Sequence, residues 1–284
     1  MQDLARRYDL KVIEDAAHCC PAYYQAAGNG AQARGLQTPN SKLGTPHSGS
    51  VWLPVGQDAD ITCFSFYANK CITTGEGGMG CTNNDEYADR MRIMSLHGIS
   101  KDAWKRFTNE GSWYYEIIAP GFKYNLTDIA AAIGVHQLRR ASELHERRRA
   151  IAALYTGLLE EVEELVLPRE LPGRIHSWHL YAIRLRPHRL SIDRARVIQQ
   201  LKEKGIGTSV HWLPLHMHPY YRDTYGYQPE DLPVAAALYP ELITLPLYPG
   251  MTEGDVAYVC EALKSVIGNN LRLRSRPPVA LHAG

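Results

Sequence analysis

The sequence has no apolar run long enough to cross a bilayer, no signal peptide, and no CxxC pair among its six cysteines. The cysteine spacing also matches no zinc pattern. The sequence has no excess of one sign of charge, because its 31 Lys and Arg residues nearly balance its 30 Asp and Glu residues and leave a net charge of +1. These absences remove the electrostatic reason to expect a nucleic-acid partner and predict a soluble cytoplasmic protein with free thiols.

The 284 residues, 45% of them hydrophobic, suffice for one large or two modest domains. Met1 to Tyr8 has the apolar spacing of the last turns of a helix. The apolar segment that follows ends at Glu14 and Asp15, which predicts a buried strand with acid at its carboxyl end, where ligands gather in open α/β sheets. The chain is therefore expected to open in the middle of an α/β domain.

Downstream patterns alternate between strands and helices. The first predicted elements are a surface loop at 28–57, strands at 60–67 and 79–82, a helix at 86–96 and a long helix at 127–164, which can bend or break and for which Thr127 is a candidate N-cap. They are followed by a strand at 178–185, a helix at 191–204, a strand at 206–212 and a helix at 253–267. We interpret residues 1–150 as part of a large α/β domain with a mostly parallel sheet. Residues 151–268 are predicted to form a small α+β domain, and 269–284 a flexible tail.

Three features taken together suggest a catalytic site. They are Asp15 at a strand end, Ser65 five residues before Lys70, and the glycine turn Gly75–Gly78 after that lysine. Pyridoxal phosphate (PLP) chemistry needs a lysine that forms an imine, a carboxylate that keeps the pyridine nitrogen protonated, and hydroxyl groups that hold the phosphate. Composition alone does not establish this function, since a lysine after a strand is usually a surface residue. Cys71, next to Lys70, is better interpreted as a small buried hydrophobe than as a nucleophile.

The order of residues in these motifs is more specific than their composition. The sequence resembles the DegT/DnrJ/EryC1/StrS family of sugar aminotransferases, which have the PLP fold type I, over nearly the whole chain. The matching segments are Val12–His18 (VIEDAAH), Phe64–Lys70 with Ile72–Gly78 (FSFYANK and ITTGEGG), Leu96–Gly98 (LHG), Gly121–Asp128 (GFKYNLTD), His211–His216 (HWLPLH) and Leu245–Pro249 (LPLYP).

The resemblance implies a role for each of five residues. Lys70 would form the Schiff base with PLP and carry the proton between substrate and cofactor, and Asp15 would pair with the pyridinium nitrogen. His18 would lie near the ring, Ser65 would hydrogen-bond the phosphate, and Asn125 would reach the phosphate in the partner subunit of a homodimer. The structural alternatives are a turn acid, a packed histidine, a strand serine and a turn asparagine.

The implied reaction is a ping-pong transfer of an amino group, from glutamate in most of the family, to a nucleotide-linked keto-sugar. Two alternatives remain open: a non-catalytic remnant or partner chain that keeps the dimer surface, and a PLP-dependent sugar dehydratase. Known dehydratases of the family replace the lysine with histidine, so Lys70 argues against the second.

Other patterns do not support a competing site. His211, His216 and His218 are interrupted by prolines and have no carboxylate spaced to complete a metal site, so no metal is expected. The glycine cluster is not followed by the Gly-Lys-Ser/Thr of a P-loop. The basic stretches at 147–149 and 272–276 are interpreted as solvated faces.

The resemblance also implies that the N-terminal part of the family, with a Gly-Thr phosphate loop, a ring-stacking aromatic and the first strands, lies outside this sequence. We therefore expect a fragment of a longer enzyme or an incomplete homologue, with an exposed sheet edge.

Overall fold

The computed structural model describes residues 1–25, 52–100 and 115–272. These residues form two compact units. Unit 1 contains the described residues up to Glu146 together with Glu170–His179, and unit 2 contains Arg147–Arg169 and the described residues from Leu180 onward. Unit 1 is thus built from two separate stretches of chain. The predicted domain limits at 150 and 268 stay predictions.

The described helices and strands alternate along the chain. The helices are α1 (Gln2–Tyr8), α2 (Asp85–Ser95), α3 (Asp128–Arg139), α4 (Ala141–Leu159), α5 (Arg194–Glu203), α6 (Pro219–Tyr225), α7 (Pro233–Leu238) and α8 (Glu253–Gly268). The strands are β1 (Ile13–Asp15), β2 (Tyr23–Gln25), β3 (Trp52–Pro54), β4 (Ile61–Ser65), β5 (Gly78–Cys81), β6 (Leu165–Val166), β7 (Arg174–Ile175), β8 (Tyr181–Leu185) and β9 (Leu242–Leu245). No helix in these ranges is both long and apolar enough to cross a membrane.

Unit 1 contains two three-stranded sheets, in the orders β1-β4-β5 and β3-β2-β7. β1 and β4 are parallel, whereas β4 and β5 are antiparallel. The described part of this sheet is therefore mixed, with one parallel and one antiparallel pair, whereas the sequence predicts a mostly parallel sheet. The reason is the connection from β4 to β5, which is a loop without a helical crossover and so returns the chain antiparallel.

The predicted long helix divides at Arg140 into α3 and α4. Thr127 caps α3, its hydroxyl accepting from the Ala130 amide at 3.3 Å as the sequence predicts. The apolar face is not uniformly buried: Ile129 is 80% exposed, whereas Ile151 in α4 is buried. Ile133, Val135 and Leu138 of α3 are also about half exposed or more.

Unit 2 packs α5 and α8 with the antiparallel sheet β6-β8-β9. Alternate β8 residues point into its core, the pattern of a half-covered antiparallel strand. The second half of α4 adds Tyr155, which stacks on Tyr181 with ring centroids 4.9 Å apart. Burial raises the pKa of Tyr181 to about 12, so its hydroxyl stays neutral and is hydrogen-bonded with Thr156 at 2.9 Å.

The basic stretch at 147–149 is not simply a solvated face. Arg148 is buried and its Nη1 donates to the Leu247 carbonyl at 3.1 Å. Arg147 donates to the carbonyls of Pro249 and Met251 at 3.3 and 3.2 Å. The two guanidinium groups donate hydrogen bonds to carbonyls of the loop after β9, which are not paired with another strand. They therefore hold the LPLYP segment in place.

Two other expectations need correction. The apolar residues Trp52–Pro54 form strand β3 inside the expected loop 28–57, whose residues 28–51 lie outside the described ranges. The expected strand at 206–212 is irregular, with only Ser209 bridging to Thr244. A proline at 214 and glycines at 205 and 207 explain why this apolar segment does not extend a ladder.

Tyr155→Phe tests the buried hydroxyl of unit 2. The Tyr155 side chain is fully buried and its hydroxyl donates to the Pro246 carbonyl at 2.8 Å. Removing the donor leaves that carbonyl unsatisfied, so the free energy of unfolding should fall by about 1–3 kcal/mol in urea titrations. Tyr258→Phe is the matched control: its hydroxyl also donates to a carbonyl at 2.8 Å, but the residue is 54% exposed. Equal losses in both variants would contradict the burial argument.

Candidate active site

The parallel pair β1–β4 brings Asp15 and Ser65 to the same face of the sheet. Asp15 pairs in register with Cys63, and Ser65 lies two residues further along β4, so the three side chains share a face. Strand spacing and rise place the Cα atoms of Asp15 and Ser65 about 8 Å apart. Both residues end their strands at the carboxyl edge of the sheet, which is the position predicted for a ligand-binding acid and hydroxyl.

Lys70 lies in a loop that the backbone of Phe66 closes. The Phe66 amide donates to the Gly77 carbonyl at 2.9 Å, and the Phe66 carbonyl accepts from the Thr74 amide at 2.9 Å. The Thr73 hydroxyl adds a second bond to the same carbonyl at 3.1 Å. These bonds continue the β4–β5 pairing across the base of the loop, so they fix the point at which the loop that carries Lys70 begins.

The glycine turn is required sterically. Gly77 has a φ of +155°, and a Cβ there would lie 2.4 Å from the Thr74 hydroxyl and 2.9 Å from Leu126 Cδ1. A Cβ on Gly78 would lie 2.8 Å from the Phe64 carbonyl oxygen. The Thr74 and Leu126 side chains therefore occupy the space of a Cβ at Gly77, and the Phe64 backbone occupies it at Gly78. This explains the glycines in the turn that follows Lys70.

The Lys70 side chain is half-buried, and its backbone amide donates to the Tyr67 carbonyl at 3.0 Å. Cys71 and Ile72 are buried immediately after it and anchor the loop. Within the described ranges, the Lys70 amine has no hydrogen bond or ion pair. An amine held in a fixed loop without a competing partner can react with an aldehyde.

His18 lies in the turn that follows β1. Asp15 Oδ1 accepts from the Ala17 amide at 3.0 Å, which begins this turn, and its other oxygen has no hydrogen bond among the described residues. The exposed His18 ring packs on the buried His179 ring, with centroids 4.3 Å apart. One face of His18 is therefore supported from within unit 1.

The thiols near this turn stay protonated. Burial is the main reason that the pKa of Cys20 rises to about 11, with smaller contributions from Cys71, Cys81 and Cys19. Burial, followed by Glu14 and Asp15, also raises the pKa of Cys19. A protonated thiol is a weak nucleophile, so these cysteines do not compete with Lys70 for the chemistry.

Asn125 lines a cleft of about 940 Å³ formed by β5, α2 and the start of α3. Gly78, the cross-strand neighbour of Ser65, lines the same cleft, whereas the other four predicted residues do not. The Asn125 side chain accepts from Lys123 Nζ at 2.5 Å.

Two of the sequence motifs fix the segment that carries Asn125. The backbones of LHG and GFKYN are in direct contact: the His97 amide donates to the Phe122 carbonyl at 2.7 Å, and a Cβ on Gly121 would lie 2.0 Å from the Gly98 nitrogen. Neither glycine can therefore be replaced without separating the two motifs.

The histidines considered for a metal do not form a cluster. His211 Nδ1 is hydrogen-bonded with the Thr244 hydroxyl at 2.7 Å, and His216 is buried. In the part of the chain that the structure describes, no group of three His, Cys, Asp or Glu residues could hold a metal ion.

A mixed sheet with a lysine loop between its strands and an acid at a strand end is the arrangement of the PLP-dependent aminotransferase class. A model of the DegT/DnrJ/EryC1/StrS aminotransferase family matches residues 1–264, and the chain belongs to this family. The resemblance inferred from the motifs is thereby confirmed.

Two curated relatives match most of the chain. An uncharacterised protein of Methanocaldococcus jannaschii is 47% identical over 267 residues, which cover 94% of this chain and 62% of the relative. The spore coat polysaccharide biosynthesis protein SpsC of Bacillus subtilis is 38% identical over 265 residues, covering 93% and 61%. The chain thus spans about three fifths of the length of these relatives.

Solved structures confirm the fold class. The Streptococcus pneumoniae protein Spr1654, assigned as a sugar aminotransferase and solved in PLP, PMP and apo forms, is 29% identical with a TM-score of 0.75. The match covers 94% of this chain and 61% of Spr1654. The aminotransferase TlmJ of Streptoalloteichus hindustanus is 27% identical with a TM-score of 0.72, covering the same shares.

The residues present fit PLP chemically. Among the described residues, Lys70 offers an amine without a hydrogen bond or ion pair, and Asp15 offers an acceptor oxygen. Ser65 offers a hydroxyl on the same face of the sheet as Asp15, and this hydroxyl accepts a long 3.3 Å bond from the Tyr67 amide. The individual roles of Lys70, Asp15, His18, Ser65 and Asn125 stay predictions.

The sequence interpretation missed the segment 176–179, which supports His18. It included Trp178 in a strand, but β8 begins only at Tyr181, and Trp178 has a φ of +48°. The apolar run gave no sign of this turn, because a turn held by long-range contacts has no local pattern.

Acid should weaken this segment. The partly enclosed His176 ring has a pKa lowered by desolvation, which Glu170 partly offsets, and its Nδ1 accepts from the Trp178 amide at 2.9 Å. The unfolded chain therefore binds the proton first, so stability should decrease as the pH falls below about 6.5. Denaturation at pH 7.5 and 5.5 should show a smaller decrease in His176→Gln than in wild type. His188→Gln, at an exposed position, should behave as wild type; an unchanged decrease in His176→Gln would contradict the assignment.

Proposed function

We propose that the protein is a PLP-dependent aminotransferase that transfers an amino group, from glutamate, to a nucleotide-linked keto-sugar in the cytoplasm. The observation that carries this proposal is the arrangement of Asp15 and Ser65 on one face of the sheet, with Lys70 in the closed loop that follows. Membership of the aminotransferase family and the relatives' sugar chemistry support it.

When bound, PLP supplies an aldehyde that takes up amines and a ring that accepts electrons from the substrate carbon. The oxygen of Asp15 that is not hydrogen-bonded is suited to hold a proton on the pyridine nitrogen. Ser65 is suited to donate its hydroxyl hydrogen to the phosphate, and His18, supported by His179, to pack against the ring.

Lys70 has two tasks. Its amine would hold the cofactor between turnovers and, once released, would take the α-proton from the donor amino acid and later give that proton back. Both tasks require an uncharged amine and a constant position, which the Phe66 hydrogen bonds and the buried residues after Lys70 support.

The substrate class comes from the relatives. SpsC is named as a protein of spore coat polysaccharide biosynthesis, and Spr1654 is assigned as a sugar aminotransferase. From these two relatives we infer that the amino-group acceptor is a keto-sugar. The resemblance to the family adds that this sugar is linked to a nucleotide and that glutamate is the donor.

A homodimer with shared active sites accounts for two features of unit 1. The α3 residues Ile129, Ile133, Val135 and Leu138 are all exposed, which is unusual for the apolar side chains of one helix. Asn125 lines a cleft whose lining does not include Lys70, and the resemblance to the family assigns its contact with the phosphate to the site of the second subunit.

Lys70 can be tested by adding PLP to the purified protein. Wild type should gain a visible Schiff-base absorbance, and borohydride reduction should fix the cofactor on the peptide containing Lys70, as detected by mass spectrometry. Lys70→Arg should lose both signals, whereas Lys11→Arg, a second lysine of unit 1, should keep them. No absorbance in wild type would contradict the proposal for this chain and favour the non-catalytic alternative.

Mixing two inactive variants tests the shared sites. In a dimer of Lys70→Ala with Asn125→Ala, one site combines Lys70 from one subunit with Asn125 from the other and is intact. Random mixing of equal amounts should restore about a quarter of the wild-type number of sites. Transaminase assays of the mixture and of each variant alone measure this. No activity in the mixture, with mixed dimers detected by mass, would contradict the sharing of Asn125.

A further inference from the structure

Ser177 makes two hydrogen bonds to segments on either side of the candidate active site. Its hydroxyl donates to the His18 carbonyl at 2.6 Å, and its own carbonyl accepts from the Cys71 thiol at 3.6 Å. The residue is 4% exposed, so water does not compete for either bond.

The two partners are distant in sequence and close to the proposed chemistry. His18 is 159 residues from Ser177, and Cys71 is 106 residues from it. His18 lies three residues after Asp15, and Cys71 directly follows Lys70. Cys71 also contributes, after burial, to the raised pKa of Cys20, as expected if the His18 turn lies beside the Lys70 loop.

The backbone around Ser177 is strained in a way that its contacts maintain. Trp178, a bulky residue, has a φ of +48° and is buried. A non-glycine residue persists in this region only when its surroundings hold it there. His176 does so by accepting the Trp178 amide at 2.9 Å and packing its ring 4.7 Å from the indole. The turn lets Ser177 contact His18 while His179 packs on the His18 ring.

We propose that Ser177 is a positioning residue, which holds the His18 turn and the Lys70 loop at a fixed separation through its hydroxyl and its carbonyl. This inference rests on the proposed PLP function of Lys70. Ser177 does not touch the reacting atoms: it acts through the backbone of His18 and through the residue that follows Lys70.

Ser177→Ala removes the hydroxyl and leaves the carbonyl. Loss of this partly buried hydrogen bond to the His18 carbonyl should lower the PLP affinity about tenfold, because the bond holds the cofactor-binding geometry. The apparent pKa of the Schiff-base absorbance should also shift, because the Lys70 loop is no longer held against the His18 turn. PLP titration followed by visible absorbance, repeated across pH, measures both quantities.

Two further variants separate positioning from folding. Thr156→Val removes a hydroxyl that donates to the Ala152 carbonyl at 2.9 Å in unit 2, so it should lower stability without changing the PLP affinity or the pH profile. Ser177→Thr keeps the hydroxyl and should restore the wild-type profile. A Ser177→Ala protein with wild-type affinity and pH profile would overturn the inference.

A readout without cofactor makes the result independent of the proposed function. In the protein without PLP, labelling of Cys71 by a thiol reagent, followed by peptide mass spectrometry, should be about tenfold faster in Ser177→Ala than in wild type or Thr156→Val. If wild type forms no Schiff base but Cys71 labelling changes as expected, the proposed PLP function fails and the positioning role of Ser177 stands. Unchanged Cys71 labelling would overturn the positioning role.

If Ser177→Ala does not fold, Cys71→Ala tests the second bond from the other side. It removes the thiol donor and leaves the Ser177 hydroxyl in place, so the PLP affinity should fall by a smaller factor in the same direction. Wild-type affinity in Cys71→Ala would then overturn the proposal.

Discussion

The backbone hydrogen bonds of Phe66 are the interaction on which the candidate site depends. Its amide and carbonyl pair with Gly77 and Thr74, so the chain leaves β4 and enters β5 at fixed points. Everything between is a loop whose position follows from that closure, including Lys70. The glycine at 77 is part of the same constraint, because a side chain there would meet the Thr74 hydroxyl at 2.4 Å and open the base of the loop.

Local chemistry was predictable from the sequence, and the long-range arrangement was not. The acid at a strand end, the lysine loop and the capped helices follow from residue types at fixed spacing, as at Asp15, Lys70 and Thr127. The antiparallel return to β5 and the turn at Trp178 depend on contacts between distant segments, which no local pattern contains. Arg148 shows the same limit: a run of arginines predicts a solvated face until the carbonyl of Leu247 is known to lie beside it.

The two units use polar groups differently. In unit 2, buried hydroxyl and guanidinium groups satisfy backbone carbonyls of an irregular loop, as Tyr155 does for Pro246. In unit 1, the side chains with the proposed chemistry are left with few partners, and their backbones carry the fixed hydrogen bonds. This is the expected division between a region that must be stable and a site that must bind something else.

The split of unit 1 has a consequence for how the chain folds. Glu170–His179 belongs to this unit, although the chain has by then also passed through part of unit 2. The Ser177–His18 bond closes a span of 159 residues. During synthesis, the segment that holds His18 therefore arrives well after His18 itself, and the first unit stays incomplete until much of the chain has been made. Late, non-local closure of this kind slows folding and prolongs the exposure of the apolar surface that unit 1 buries in its folded state.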